Sequence, residues 1–121
     1  MIKAVIIDDE QHCINRLENL LTNYCADSVQ LCGSFQTVKD SLQGVQTLKP
    51  DLVFLDVEIK NNTGFEFLQQ LPQINFEVIF TTAYDKYAVQ AFKFSAIDYL
   101  LKPVDADELQ TSVKKLNEKT K

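Results

Sequence analysis

Five short apolar runs punctuate this chain, at residues 3–8, 29–35, 52–56, 77–81 and 96–101, and stretches of helical pattern lie between them. The runs are rich in Val, Ile, Leu and Phe, as strands covered on both faces are. Ile14, Leu17, Leu21 and Tyr24 keep helical spacing, as do Val38, Leu42, Val45 and Leu48, and later Leu109, Val113 and Leu116. Thr37 with Asp40 three residues on resembles a capping box, and Asp105 with Glu108 is placed to cap the last helix. Pro50 marks a helix end and Gly64 the start region of another. Strands and helices alternating through short connections give a parallel sheet with helices on both faces. No repeat, low-complexity tract or Pro/Gly-rich linker divides the 121 residues, so a single domain spanning 1–121 is expected.

In sheets of this kind a ligand binds outside the carboxyl ends of the strands, where the winding direction reverses. What ends each run therefore matters. Asp8 and Asp9 end the first, Asp56 the third, Thr82 the fourth and Lys102 the fifth. Each has an ordinary reading on its own. Paired acids after a strand often cap the next helix, aspartates often end strands, a threonine can satisfy its own turn, and a lysine can be a solvated strand end. The conjunction carries the weight: on a parallel sheet three acids, a hydroxyl and an ammonium converge on one edge. Lys102-Pro103 adds a further expectation, a cis peptide bond, because X-Pro is the one common setting for it and such turns aim a neighbouring side chain.

Electrostatics says what that edge wants. Two like charges about 4 Å apart repel by about 4 kcal/mol at an effective dielectric near 20. Three carboxylates against one lysine leave a negative excess that a hard cation relieves. Few, all-oxygen ligands with room for water favour Mg2+. Beside the metal Asp56 can act as a nucleophile toward phosphorus, giving an acyl phosphate. The cation and Lys102 would offset charge on the transferring oxygens while the Thr82 hydroxyl donates to one of them. His12, the only histidine, falls in the first turn of a helix and reads as a solvated surface residue rather than a transition-metal ligand.

Composition closes off other classes. A net charge of −5 argues against nucleic-acid binding by this segment, which would need a basic stripe. Lys114, Lys115, Lys119 and Lys121 gather near the C-terminus and read as complementing the negative end of the last helix or opening a linker. Cys13, Cys25 and Cys32 are odd in number and lack CxxC spacing, as free thiols of a reducing cytoplasm do. No apolar run reaches membrane-spanning length, and Met1 leads straight into a strand without a signal peptide, so a soluble cytoplasmic protein is expected.

The paired acids, the central Asp56, Thr82-Ala83 and Lys102-Pro103 resemble the motif set of bacterial two-component response-regulator receiver domains, over essentially the whole chain. The resemblance implies a flavodoxin-like (βα)5 fold, a doubly wound five-stranded parallel sheet of strand order 2-1-3-4-5. It implies that Asp56 accepts phosphate from a sensor histidine kinase. Asp9, Asp56 and the Glu58 backbone carbonyl would coordinate Mg2+, with Asp8 assisting through water. Thr82 and Lys102 would contact the phosphoryl group, and Tyr99 resembles the family's rotating aromatic that reports the movement of Thr82. The surface around the fourth helix, fifth strand and fifth helix would then change and homodimerise, with Tyr87, Phe92 and Phe94 as candidates set against core packing.

A finer likeness lies in Thr81-Thr82-Ala83-Tyr84-Asp85-Lys86-Tyr87-Ala88, Ala91-Phe92 and Ala96-Ile97-Asp98-Tyr99-Leu100-Leu101-Lys102-Pro103. It is similar to the receivers that precede LytTR-type DNA-binding domains. This implies the N-terminal part of a longer transcription regulator that reaches DNA only through a domain absent from this chain. One departure stands out: where the family carries Met-Pro after the phosphoacceptor loop, this chain has Ile59-Lys60, and losing the fixed proline dihedral predicts a more mobile loop.

Three other readings compete with the switch. An aspartyl phosphatase would be an enzyme, but the acid two residues after Asp56 is Glu58 rather than aspartate and no cap domain follows. A flavin or nucleotide module needs a Gly- or Ser/Thr-rich first loop, whereas Asp8-Asp9-Glu10-Gln11 repels phosphate. A phosphate-independent receiver is weakened by the complete set of five site residues. A signalling switch that is not a turnover enzyme is the expectation.

Overall fold

The computed structural model describes residues 1–119, so Lys121 of the basic C-terminal group lies outside the described residues. Seven strands and five helices follow in chain order: β1 (Ile2–Ile7), α1 (Gln11–Tyr24), β2 (Val29–Phe35), α2 (Val38–Leu48), β3 (Leu52–Leu55), β4 (Glu58–Ile59), β5 (Asn62–Thr63), α3 (Gly64–Gln69), β6 (Glu77–Thr82), α4 (Ala88–Lys93), β7 (Asp98–Leu101) and α5 (Ala106–Lys119). Five strands form one parallel sheet in the order β2-β1-β3-β6-β7. Numbered within that sheet alone, this is the expected order 2-1-3-4-5.

The period of two along a strand splits each apolar run between two cores. Ala4, Ile6, Leu52, Phe54, Ile79 and Leu100 face α1 and α5, packing on Ile14, Leu17, Leu21, Leu109, Val113 and Leu116. Val5, Ile7, Val53, Leu55, Val78 and Phe80 face α2, α3 and α4, meeting Val38, Val45, Phe65, Phe67, Leu68 and Ala91. Helices on both faces leave the strand ends as the exposed edge of the sheet.

Helix starts follow the sequence signals. The Thr37 side chain accepts from the Asp40 N–H at 3.1 Å, and Asp105 accepts from the N–H groups of Asp107 and Glu108 at 3.0 and 3.2 Å. Two positions with helical spacing do not reach the core: Tyr24 and Leu48 lie exposed at the ends of α1 and α2. The fifth strand starts later than expected, at Asp98, because Ser95 takes a left-handed φ of 60° as the chain leaves α4. Two lysines of α5 pair with strand residues: Lys115 with Asp98 at 3.0 Å and Lys119 with Glu77 at 3.1 Å. Cys13, Cys25 and Cys32 are free, and no helix among the described residues is long and apolar enough to cross a membrane.

Candidate phosphoacceptor site

Strand register brings the predicted residues together. Ile7 lies beside Leu55 and Thr82 beside Leu101 across their ladders, so the residues that follow them end level. The ladder continues one step into the site: Asp56 N–H donates to the Ile7 carbonyl at 2.9 Å, and Lys102 N–H to that of Thr82 at 2.8 Å. Asp8, Asp56 and Thr82 are buried, with Asp8 only 2% and Asp56 only 5% exposed. Lys102-Pro103 is cis, as its sequence suggested.

The Lys102 ammonium joins two of the three acids, at 2.7 Å from Asp8 Oδ2 and 3.0 Å from Asp56 Oδ2. Burial works against its charge, but the hydrogen bond to Asp8 and the charge of Asp56 outweigh it, and the lysine is held above its ordinary value. The same cation does not hold Asp56 down. Burial pushes the Asp56 carboxyl up from 3.8 to about 6; Lys102 pulls it back only in part, and the nearby charge of Asp8 pushes the same way as burial. Shared between two carboxylates and closer to Asp8, one ammonium is too little charge for the pair.

Asp9 takes a different partner. Its Oδ2 accepts from the Lys60 backbone N–H at 2.9 Å. Lys60 has φ 53° at the turn of a short antiparallel hairpin that pairs Glu58 with Thr63 and Ile59 with Asn62. Proline could not take this place in the hairpin, since φ is positive and an N–H is required. Gly64 closes it against the phosphoacceptor loop: its N–H donates to Val57 O at 2.7 Å, and a Cβ there would lie 2.5 Å from the Asp56 carbonyl oxygen. Close approach, rather than a positive φ, is what requires glycine here.

Thr82 ends its strand as expected, with its hydroxyl accepting from the Tyr84 N–H at 3.3 Å. Tyr99 donates its hydroxyl to the Tyr84 carbonyl, and its ring centroid is 6.3 Å from that of Phe80. Of the surface candidates, Phe94 stacks on Phe65 at 5.3 Å and belongs to the core, Tyr87 is half-buried, and Phe92 is 61% exposed. His12 stays in solvent, 3.6 Å from Glu10.

Some contributors carry no sequence signal. The Lys60 contact is a main-chain one, invisible to residue type. Arg16, on the outer side of α1, donates to the Val104 carbonyl at 2.7 Å and pins the loop that follows Lys102-Pro103. Carboxylate oxygens of Asp8, Asp9 and Glu10 can be chosen that all lie within 4.8 Å of one another, and Lys102 joins Asp8 to Asp56. Oxygen donors, two of the acids buried and one lysine between them suit a hard divalent cation better than a soft one.

A parallel five-stranded sheet whose strand ends gather buried acids, a threonine and a lysine defines the receiver class of signalling domain. The chain belongs to the response regulator receiver domain family, whose model matches residues 4–114. It is thus the receiver domain of a response regulator in a two-component system, a signalling domain. It is 44% identical over 118 residues to an uncharacterized response regulatory protein of Vibrio parahaemolyticus, covering 97% of this chain and 48% of that protein. It is 37% identical over 117 residues to the sensory transduction protein LytT of Bacillus anthracis, covering 95% of this chain and 47% of LytT. The chain therefore spans about half the length of these curated relatives. Among solved structures, the response regulatory domain of MrkE from Klebsiella pneumoniae superposes with a TM-score of 0.85 at 29% identity, over 97% of this chain and 96% of that one.

Proposed function

We propose that this domain is a phosphoacceptor switch: Asp56 takes a phosphoryl group from a sensor histidine kinase in a Mg2+-dependent step. One observation carries the reading, the buried Asp56 carboxylate 3.0 Å from the Lys102 ammonium in a cleft with a net excess of acid. Mg2+ would be held by Asp9, Asp56 and the Glu58 backbone carbonyl, with Asp8 acting through water; when bound it neutralises charge on phosphoryl oxygens. Asp9 has one carboxylate oxygen engaged by Lys60 N–H and another free for the cation. Lys102 would turn from the aspartates toward the phosphoryl group, and Thr82 would exchange Tyr84 N–H for a phosphoryl oxygen.

Tyr99 would follow Thr82 inward and change the face made by α4, β7 and α5. Moving a switch from 1:99 to 99:1 takes about 5.5 kcal/mol of differential binding. Hydrogen bonds to a charged group contribute about 1.5–3 kcal/mol each, so two or three from one phosphoryl group suffice. Exposed Val89, Phe92 and Leu101 give that face apolar surface for a homodimer. The motif likeness supports a cytoplasmic transcription regulator whose DNA contacts are made by a LytTR domain outside this chain, and the chain spans about half the length of LytT.

The metal requirement is directly testable. With acetyl phosphate as donor, phosphate-affinity electrophoresis is expected to show a slow-migrating form only when Mg2+ is present, and strongly reduced formation in Asp9→Asn. Equal yields with and without chelator would sink the metal assignment.

A further inference from the structure

A second connection runs from Asp56 to the start of α4, apart from the one through Thr82. Glu58 makes it. Its backbone N–H donates to Asp56 Oδ1 at 3.3 Å, while its carboxylate Oε2 accepts from the Tyr87 hydroxyl at 2.9 Å. Tyr87 immediately precedes α4. Its ring lies 6.2 Å from that of Phe65 on the core side and meets Tyr84 edge-on at 6.4 Å. The Lys86 ammonium lies over both tyrosines, 5.5 and 5.2 Å from their ring centres. The turn between β6 and α4 is thus tied at two points: Tyr84 by the Tyr99 hydroxyl and Tyr87 by Glu58.

We propose that the Glu58–Tyr87 hydrogen bond is a positioning contact that holds this turn in its unphosphorylated arrangement, and so sets how readily a phosphoryl group converts the switch. The inference rests on the phosphoacceptor reading above. For Thr82 to donate to a phosphoryl group on Asp56, its side chain must be drawn toward Asp56, and the Tyr84 N–H that it accepts from either follows or parts from it, which shifts the turn that Tyr87 ends. Glu58 cannot follow freely, because its main chain is fixed beside Asp56 and paired with Thr63 in the hairpin. The side-chain contact is therefore made in one state and given up in the other. A contact of that kind shifts the equilibrium by its differential worth, and the apparent affinity for an activating ligand falls with the fraction of competent molecules.

The probe is beryllofluoride, a tetrahedral stand-in for the phosphoryl group, titrated calorimetrically into the whole chain with saturating Mg2+. Tyr87→Phe deletes one oxygen and keeps the ring contacts; Glu58→Ala removes the acceptor and keeps the backbone carbonyl. Each is expected to bind the probe roughly fivefold more tightly than the parent chain, the low end of usual coupling because the contact is only half-buried. The double variant is expected to bind no more tightly than either single one, as two halves of one contact require. Glu58→Gln retains an acceptor and is expected to shift affinity less than Glu58→Ala. Should one single variant fail to fold, the other supplies the comparison. Unchanged or weaker binding by Tyr87→Phe or Glu58→Ala, or additive gains in the double variant, would overturn the proposal. A parent chain that takes up no beryllofluoride overturns the phosphoacceptor reading and this inference with it, so the two failures are told apart.

Discussion

Asp56→Asn is expected to make the protein more stable by about 3 kcal/mol at neutral pH without divalent cations. Burial lifts the Asp56 carboxyl from 3.8 to about 6, with Lys102 opposing and Asp8 reinforcing the rise. Each pH unit of difference between folded and unfolded chain is worth about 1.36 kcal/mol, which gives the figure. The sign follows from proton binding. A carboxyl raised in the folded state holds its proton more tightly there than in the unfolded chain. Stability from this group is therefore full below about 3.8, declines as pH rises toward about 6, and is level above. Asparagine is neutral throughout and escapes the decline. Denaturant titrations of both proteins at several pH values are expected to show curves that meet near pH 4 and separate by pH 7. Mg2+ is expected to narrow the gap, because it binds the carboxylate and not the amide. Parallel curves would mean that the burial of Asp56 carries no electrostatic cost.

Phe80→Ala is expected to cost about 3–5 kcal/mol, the usual loss for a fully buried phenylalanine. Phe80 is completely buried in the central part of the sheet, with ring centroids of Phe65 and Tyr99 at 5.2 and 6.3 Å. Two strands and the packing beneath α4 depend on it. Small domains hold about 5–15 kcal/mol in total, so the variant would sit close to unfolding. Phe80→Leu keeps most of the volume and is expected to lose less than half as much. Equilibrium unfolding in urea measures both, and a loss below about 1 kcal/mol for alanine would show that the site collapses around the void.

The sheet was readable because its inner strands are buried on both faces. Ile6, Phe54 and Ile79 are apolar for one core while Ile7, Leu55 and Phe80 are apolar for the other, and a chain with no solvent face leaves an unbroken signal. Four of the five runs then stop at a charged or hydroxyl residue, so the site's acids, threonine and lysine were marked by the same pattern. What escaped is short or made by the main chain. The strands of the β4–β5 hairpin have two residues each, too few to express any period. α3 and α4 have six residues each, less than two turns, and were not marked by a clear stripe. Tyr24 and Leu48 kept helical spacing yet lie exposed at helix ends. The Lys60 N–H on Asp9 depends on a positive φ that a lysine does not announce. Tyr87 and Glu58 are 29 residues apart and meet only because the sheet order places α4 beside the phosphoacceptor loop.

The account stands on Asp56 as the group that takes the phosphoryl. Intact-mass measurement after incubation with Mg2+ and acetyl phosphate, with Asp56→Asn run beside the parent chain, tests that most directly. One phosphoryl adduct on the parent chain and none on the variant is the predicted result. An adduct of equal yield on Asp56→Asn, or none on either protein, would contradict it.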